Sequence, residues 1–375
     1  MRILLIADAL SPTYGWGRYA IGLIQALRRQ GLSFTLLSPR GLCQVEELAT
    51  IPDHGVVTSF VSQTRRIPRL VLANALAIRR ALAGCDAVHC ITEPYAIPAA
   101  IVAGSKPVLV TLHGTYAVRP FTRWGERPWY ELAYRRAARL LPVSRFTQSL
   151  LPPRFQTGKT HVVPEGVDLT RFELPATAPP APPAAPFLLS VGPIKRRKGY
   201  HVAVEAFARV HAARPDVTYR IVGGTDDQVY FGQLKARIAE LGLQQTITFL
   251  GRVSDAELVR LYHQCAAMWL LPVDDDRQFE GFGLVYWEAN ACGRPVVGAL
   301  RSGAEDAIVD GVNGWLVPPG DPAAAAAAAL RLLNDPELAT HMGAAGRRRV
   351  RPWDDAAGLV MEHYRTLLQG TNGKV

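Results

Sequence analysis

Two glutamates carry the strongest chemical signal in the sequence, Glu280 and Glu288, which lie eight positions apart in Phe279–Gly293 (FEGFGLVYWEANACG). Glycines directly after the first glutamate let the backbone turn tightly and approach a ligand closely. A helix that begins just after such a turn presents unpaired N–H groups and the positive end of its dipole, so the segment predicts an anion cradle. Four residues form the predicted cradle: Gly281, Phe282, Gly283 and Leu284.

The two carboxylates have different predicted positions around this cradle. If the helix begins near Leu284, Glu288 lies about one turn in and faces the ligand side, where a carboxylate can bind ribose hydroxyls. Glu280 stays on the loop, free to meet a sugar hydroxyl. Taken without its context, the pair also fits a capped core helix with two solvated glutamates.

A basic turn is the second signal. Ser190–Gly199 (SVGPIKRRKG) ends a predicted strand with Gly192 and then delivers four consecutive cations before a new helix. Preorganised arginine and lysine donors stabilise the charge that grows on a leaving diphosphate, and they do so without a metal. The pattern therefore predicts a diphosphate site, with a solvated basic turn as the alternative.

The first half of the chain offers two weaker signals. Leu10–Tyr19 (LSPTYGWGRY) follows the first predicted strand and contains Gly15 and Gly17, although any tight turn between a strand and a helix favours glycine. His113 lies where another strand ends, in Val110–Tyr116 (VTLHGTY). A lone histidine is usually structural, but the carboxyl ends of parallel strands form the binding edge of such sheets.

These residues are positioned by an alternation of short β-rich apolar runs and longer helical patterns, which is typical of βαβ units in a parallel sheet. We predict an α/β protein with two Rossmann-like, doubly wound domains that face each other across a cleft. The predicted strands of the first domain are Ile3–Ala7, Ser33–Leu37, Val56–Val61, Ala87–Ile91, Val108–Leu112 and Leu140–Val143. Those of the second are Phe187–Val191, Tyr219–Val222, Ile247–Leu250, Ala267–Leu271, Val296–Val297 and Trp315–Val317.

The predicted domain divisions follow the composition. They are an N-terminal domain over 1–173, a Pro/Ala-rich linker over 174–186, a C-terminal domain over 187–350 and a terminal helix over 351–375. The terminal pattern is amphipathic, so its helix must dock on something, and the N-terminal domain is a candidate. The alanine run Ala323–Ala329 follows Asp321 and Pro322, which together predict a helix start.

Composition limits the class of protein. A chain of 375 residues with 49% apolar residues is large enough for two cores. The longest apolar stretch, Ala96–Leu112, is interrupted by two prolines and a lysine, so we expect no spanning helix, no cleavable signal and a cytoplasmic location. The five cysteines lack C-x-x-C spacing and the nine histidines are scattered, so we expect no protein-held metal.

The net charge of +10 lies entirely in the first half, which has 21 Lys and Arg against 11 Asp and Glu up to Pro186, with 21 against 21 after it. Such asymmetry indicates an anionic partner, whether a phosphate-bearing acceptor, an acidic membrane surface or nucleic acid. Arg65–Arg80 (RRIPRLVLANALAIRR) predicts a basic helix that either packs on the sheet or lies on an anionic bilayer. We find no aromatic-interleaved basic patch, so nucleic acid is not an expected partner.

The spacing of Glu280 and Glu288 resembles the Glu–seven residues–Glu motif of the retaining glycosyltransferases of family 4, whose fold is the two-Rossmann GT-B type. The resemblance continues through ACGRPVV, SGAE and VDGVNGWLVP as far as Pro318. In the basic turn, Arg197 and Lys198 match the diphosphate-binding places of the family, whereas Pro193 stands where another version of the motif has arginine.

Segments of the first half are also similar to the family. The HGT sequence at His113 looks like the active-site histidine, and Gly15 with Gly17 looks like the glycine-rich loop that approaches the donor phosphates and the acceptor. Arg145 and Glu165 match places in two further segments, although the family usually has asparagine where this chain has Glu165.

The resemblance implies a retaining transfer of sugar from a UDP- or GDP-sugar to a glycan, lipid-linked or small-molecule acceptor, with no metal or other cofactor. It assigns Glu288 to the ribose, Glu280 and the Gly281–Gly283 amides to the sugar, and the two cations of the basic turn to the diphosphate. His113 would hydrogen-bond the donor sugar. No protein base is assigned, because in the front-face mechanism proposed for such enzymes the leaving phosphate accepts the acceptor's proton.

Two alternatives stay open. A GT-B-fold glycoside phosphorylase would take inorganic phosphate in place of the nucleotide, and a catalytically silent relative would bind sugar without turnover. Asp274 and Asp276 could instead hold a divalent metal, as paired aspartates do in the other large fold of nucleotide-sugar transferases. That fold has one Rossmann-like domain with its acidic motif midway, so we interpret these aspartates as a solvated or acceptor-edge loop.

Overall fold

The computed structural model describes residues 1–8, 10–11, 15–39, 42–49, 54–59, 67–173, 185–275 and 278–372. The chain divides into two compact units. The first unit combines Met1–Gly166 with Arg351–Val375, and the second is Val167–Val350. Across the described residues, no helix combines the length and the apolar character that crossing a membrane requires.

Each unit is built on a six-stranded parallel sheet. The strands of the first sheet are β1 (Arg2–Ile6), β2 (Ser33–Pro39), β3 (His54–Val57), β4 (Ala87–Cys90), β5 (Val108–Leu112) and β6 (Arg139–Pro142). Those of the second are β7 (Phe187–Val191), β8 (Thr218–Val222), β9 (Ile247–Gly251), β10 (Ala267–Trp269), β11 (Val296–Ala299) and β12 (Gly314–Val317). Every predicted strand overlaps one of these; the largest difference is β3, for which we predicted Val56–Val61, and residues 60–61 lie outside the described residues.

The strand order is β3-β2-β1-β4-β5-β6 in the first sheet and β12-β11-β10-β7-β8-β9 in the second. Both are the doubly wound order in which the direction of connection reverses once, between β1 and β4 and between β7 and β10. Ligands of such sheets bind beyond the carboxyl ends of the strands next to this reversal. The predicted α/β class with two Rossmann-like domains is confirmed.

Helices cover both faces of the first sheet. They are α1 (Gly15–Arg29), α2 (Glu46–Ala49), α3 (Ile67–Leu82), α4 (Ala96–Val102), α5 (Thr115–Val118), α6 (Arg127–Arg136), α7 (Arg145–Ser149) and the terminal α15 (Trp353–Asn372). Alternate strand residues such as Leu4, Ile6 and Val110 point to one face, where they form a core with α3, α4 and α6. Because both faces are covered, the strands are nearly continuous apolar runs.

The terminal helix α15 belongs to the first unit, where it packs on α1. Its first residue, Trp353, lies so close to Gly22 that a Cβ atom on Gly22 would overlap the Trp353 ring. Arg29 pairs with Asp354 at 3.0 Å, and the hydroxyl of Tyr364 lies 2.6 Å from Nδ1 of His89 in the core. A large residue at position 22 would therefore lift the helix off.

The helices of the second unit are α8 (Tyr200–Ala213), α9 (Gln228–Glu240), α10 (Asp255–Gln264), α11 (Leu284–Ala291), α12 (Ala304–Ala307), α13 (Pro322–Asn334) and α14 (Pro336–Arg349). The alanine run forms α13, as its sequence predicts. The Asp321 carboxylate accepts from the Ala323 and Ala324 amides, which satisfies two of the unpaired N–H groups at the helix start.

The division between the units falls earlier than we predicted. Val167–Glu173, assigned from the sequence to the N-terminal domain, lies with the second unit. Arg171 pairs there with Asp255 at 2.6 Å, and Nε2 of His263 lies 2.8 Å from the Phe172 carbonyl. We placed the domain boundary where the proline-rich pattern begins, but that pattern starts only after Val167–Glu173, which already belongs to the second unit. Residues 174–184 of the predicted linker lie outside the described residues.

Candidate functional site

The basic turn of the second unit is fixed at the carboxyl end of β7. Arg196–Lys198 form one turn of 3-10 helix, and Gly199 follows with a φ of 71°, a left-handed conformation that glycine adopts without strain. A Cβ at Gly199 would overlap the Leu271 carbonyl, so the turn packs directly on the loop after β10. The Val273 amide donates to the Arg197 carbonyl at 3.0 Å, which joins the two segments.

Glu280 meets both predicted diphosphate ligands. Nη1 of Arg197 lies 3.2 Å from Oε2 of Glu280, and Nζ of Lys198 forms a short contact with the same oxygen. Burial raises the pKa of Glu280, but the two cations outweigh burial, so the pKa lies below its ordinary value. The sequence placed Glu280 on the loop without these partners, whereas in the structure it pairs with both cations; its contact with a sugar hydroxyl stays a prediction. A buried carboxylate requires such partners, because leaving its charge unpaired is costly.

The loop after Glu280 has the predicted form. Gly283 has a φ of 83° and caps α11, which begins at Leu284. A Cβ at Gly283 would overlap the Tyr286 ring. The cap residue carries no side chain, so no cap side chain covers the first-turn amides. Phe282 is buried against Trp287 at 4.9 Å between ring centroids, so its side chain supports the loop from inside.

A second loop holds the first in place. The Gly303 amide donates to the Glu280 carbonyl at 2.8 Å, and Gly303 has no room for a Cβ beside the Gly281 backbone. The segment SGAE, which we noted only for its resemblance, is thus a structural support for the glutamate loop. It lies directly after β11, next to β10 in the sheet.

Glu288 lies one turn into α11, as predicted, but it is almost completely buried. The Tyr262 hydroxyl of α10 donates to its Oε2 at 2.7 Å. This bond orients the carboxylate within the fold. Sequence reasoning missed Tyr262, because an aromatic residue on the apolar face of a helix gives no chemical signal.

A shallow cavity of about 530 Å³ lies beside the basic turn. It is lined by Lys195, Arg196, Arg197, Asp226, Asp227, Gln228, Val229, Asp275 and Gln278. Arg196 is exposed there and lies 4.0 Å from Asp275, whereas Arg197 points to Glu280. Asp276 lies outside the described residues, and among the residues that are described, no group of His, Cys, Asp and Glu could hold a metal ion.

In the first unit, His113 follows β5. Its Nε2 lies 2.7 Å from the Ile91 carbonyl, and since a carbonyl only accepts, Nε2 carries the proton and Nδ1 is the acceptor. Burial lowers the pKa of His113 to about 4, so the imidazole is neutral at pH 7. Gly114 then turns the chain with a φ of 87°, which explains the glycine of HGT.

Two residues that the sequence did not single out surround His113. The main-chain N–H of His113 donates to Oε1 of Glu93, a residue with no exposed surface just after β4. The other oxygen, Oε2, has no hydrogen-bond partner, and burial raises the pKa of Glu93 to about 7. The Tyr19 ring packs edge-on against the imidazole at 4.5 Å. Glu93 follows a central strand, and this position is the feature of the sequence from which its place near the site could have been predicted.

Gly15 and Gly17 lie in the first turn of α1, the helix that this segment begins, and their contact with the donor stays a prediction. Gly15 is exposed with open space around it, and Gly17 is buried. Positions 12–14 lie outside the described residues. Within the first unit, Tyr19 links this helix to His113, and in the second unit the basic turn, Glu280 and the glycine loop come together.

Comparisons with known proteins agree with this architecture. Residues 14–171 match the family described as Glycosyltransferase Family 4, and residues 177–349 match Glycosyl transferases group 1. A GDP-mannose-dependent alpha-(1-6)-phosphatidylinositol monomannoside mannosyltransferase of Mycolicibacterium smegmatis is 30% identical over 270 residues, which are 67% of each chain. The chain spans about half the length of several other curated relatives that it matches.

Solved structures show the same fold over nearly the whole chain. A glycosyltransferase from Rickettsia africae has a TM-score of 0.81 at 22% identity, with 98% of each chain covered. Anabaena HepE, solved in complex with UDP and glucose, has a TM-score of 0.78 at 22% identity and covers 98% of this chain and 100% of its own. On this basis the chain belongs to the group 1 glycosyltransferases of GT-B fold, enzymes of the transferase class that take a sugar from a nucleotide-sugar donor.

Proposed function

We propose that this enzyme transfers a sugar from a UDP- or GDP-sugar to a glycan, lipid-linked or small-molecule acceptor, with retention of configuration and without a metal. One observation carries the proposal: Arg197 and Lys198 converge with the Glu280 loop beside the N-terminus of α11. Two cations next to a helix N-terminus suit a diphosphate. They can neutralise the leaving group as its charge grows, which is the task that a metal performs elsewhere.

Donor binding changes the partners of the two cations. Before the donor binds, both cations contact one oxygen of Glu280. A diphosphate carries more negative charge than a single carboxylate. The diphosphate therefore competes for the same donors, and Glu280 is released to accept a hydrogen bond from the donor sugar. Glu280 in this way couples recognition of the sugar to recognition of the phosphates.

Glu288 binds the ribose in this proposal. Its carboxylate is oriented by the Tyr262 hydroxyl, so the entropy cost of positioning it is already met in the folded protein. Ribose hydroxyls donate to the oxygens, and the buried setting strengthens those hydrogen bonds.

His113 acts as a neutral hydrogen-bond acceptor. The Ile91 carbonyl fixes the tautomer, so Nδ1 is the atom that accepts from a hydroxyl of the donor sugar. A neutral imidazole adds no positive charge that would compete with the cations for the diphosphate. The proton of the acceptor hydroxyl goes to the leaving phosphate oxygen, which becomes more basic as the glycosidic bond breaks.

We also propose that the enzyme is cytoplasmic and contacts the membrane peripherally. The excess of arginine and lysine in the first half supports the second part of this statement. A lipid-linked acceptor would be met at that surface.

The experiment for donor identity is a hydrolysis assay across UDP-, GDP- and ADP-sugars without acceptor, together with calorimetric binding of the free nucleotides. We expect one nucleotide to bind and its sugar to be released slowly. Glu288→Ala should abolish measurable nucleotide binding, and Glu240→Ala, an exposed glutamate of the same unit, should leave it unchanged. Binding of inorganic phosphate alone would favour the phosphorylase, and sugar binding without any turnover would favour the silent relative.

A further inference from the structure

Three helices of the first unit, α3, α4 and α6, form one layer on the same face of the sheet. Their inner residues, among them Leu70, Ile97 and Tyr134, belong to a single buried core with the strands. We call the outer side of this layer the three-helix face. It consists of the exposed residues of α3, α4 and α6 and of the turn that precedes α6.

Large apolar side chains point outward from each part of this face. Trp124, in the turn before α6, is 95% exposed, and Leu72 and Leu76 of α3 are 79% and 55% exposed. Ile101 of α4 and Leu132 of α6 are about half exposed. Leu76 lies one helical turn after Leu72, so the two exposed leucines share one side of α3.

Positive charge surrounds these side chains. The three helices carry six arginines and one glutamate. The glutamate, Glu131, is already paired with Arg135 at 2.9 Å and also contacts Arg154. Trp124 borders a shallow cavity of about 530 Å³ whose other lining residues are Arg127, Pro128, Glu131, Arg135 and Arg154.

We propose that the three-helix face docks on an anionic lipid bilayer. Leucine and tryptophan side chains enter the boundary between headgroups and acyl chains, while arginines reach lipid phosphates through their flexible stems. Tryptophan is the side chain that membrane interfaces favour most clearly, because its ring is apolar and its N–H is polar. The cavity at Trp124 has the size and charge to accept a headgroup phosphate.

A second copy of the chain is the less suitable occupant. Two such faces would bring like charges together, and like-charge contacts across an interface are costly. An anionic bilayer removes this conflict, because each Lys or Arg near its surface contributes about 1 kcal/mol of attraction. The inference rests on the proposed function, in which the enzyme contacts the membrane, and it names the surface that makes this contact. Lipid binding requires neither a donor nor turnover, so its failure is distinguishable from a failure of the donor site.

The test is cosedimentation of the full chain with vesicles of phosphatidylcholine alone and of phosphatidylcholine mixed with phosphatidylglycerol. We expect binding to the mixed vesicles only, and weakening as salt rises, because the Debye length falls from ~10 Å at 0.1 M to ~3 Å at 1 M. Arg79→Ser/Arg80→Ser should weaken partitioning about five-fold per arginine, the equivalent of ~1 kcal/mol each. The matched control Arg348→Ser/Arg349→Ser removes two exposed arginines of the second unit and should have little effect.

Apolar insertion is tested separately. Leu72→Ser and Trp124→Ala should each weaken partitioning by about ten-fold, whereas Val312→Ser, 41% exposed in the second unit, should not. All variants change exposed side chains, so nucleotide binding should be unchanged, and this measurement separates loss of lipid binding from loss of the donor site. Equal binding to both vesicle types, no binding, or a dimer in light scattering that Leu72→Ser abolishes would each overturn the proposal.

Discussion

In the second unit the candidate site is made of full charges: a buried carboxylate, Glu280, is held by Lys198 and Arg197. In the first unit the groups at the equivalent edge of the sheet are neutral or nearly so. Burial keeps the His113 imidazole uncharged at pH 7 and brings the Glu93 pKa to about 7, with one Glu93 oxygen unpartnered. The two sheets have the same strand order, but the groups at the strand ends are ionised in the second unit and neutral or nearly neutral in the first.

The difference follows from the partners that each loop provides. In the second unit three segments meet at the strand ends, and two of them bring ionised groups of opposite sign. In the first unit the Glu93 carboxylate receives main-chain N–H groups, from His113 and from Glu93 itself, and these do not compensate a full charge as a cation does. We infer that the second unit is built to exchange one anion for another, and the first to hold a hydrogen-bonding group in one orientation.

Lys198→Met should have the largest effect, because it removes one of the two cations that contact the buried Glu280 carboxylate and leaves Arg197. We expect a loss of about 3 kcal/mol or more in the free energy of unfolding, measured with denaturant, and loss of nucleotide binding by calorimetry. Lys195→Met, which changes an exposed lysine of the same turn, is the control.

The double variant Lys198→Met/Glu280→Met separates these two effects. Removing both charges should recover most of the stability, because no buried charge is left unpaired. Nucleotide binding should stay lost. Recovered binding in the double variant would mean that Lys198 serves only to neutralise Glu280.

His113→Ala should lower kcat by about 10²-fold while nucleotide affinity stays the same. A preorganised group that contacts the reacting sugar typically contributes about this much. The measurement is transfer kinetics with calorimetric binding of the nucleotide, and His211→Ala in the second unit is the control. A loss of nucleotide affinity with unchanged kcat would contradict the neutral-acceptor role.

Much of the fold was readable from the sequence, because parallel strands buried on both faces are uninterrupted apolar runs such as LLI in β1 and VLV in β5. The glycine loop and the helix start at Leu284 were also predictable, since a positive φ requires glycine at a definite position. These features depend on neighbouring residues, and local patterns therefore specify them.

The partners of the site residues were not predictable in the same way. Glu280 meets Lys198 across 82 positions of sequence, and Glu93 meets His113 across 20, through the adjacency of β4 and β5. A single sequence does not specify such pairings. The sequence did not predict the cation partners of Glu280, because the spacing of two glutamates contains no information about which cation the fold brings to them.

The effect expected from Glu93→Gln depends on pH. The folded pKa of about 7 is above the ordinary value of 4.5. The stability that Glu93 contributes is therefore fully present below pH 4.5 and lost as pH rises through about 7. The total is on the order of 3 kcal/mol. Glutamine lacks this titration, so the difference between variant and wild type in denaturant unfolding should grow from about pH 5 to about pH 8. A constant difference would mean that Glu93 stays ionised throughout.

Arg196→Ala should have the smallest effect, and it allows Arg196 to be compared with Arg197 in the same basic turn. Arg196 is exposed and its nearest acidic partner, Asp275, is 4.0 Å away, whereas Arg197 is directed at Glu280. An exposed pair of this kind contributes about 0–1 kcal/mol, so nucleotide affinity should fall by no more than about five-fold. The same substitution at Arg197 should cost far more, measured by calorimetry under identical salt. If the two alanine variants lose equal affinity, then charge anywhere in the turn is sufficient, and the diphosphate is attracted by the field of the turn rather than bound by particular side chains.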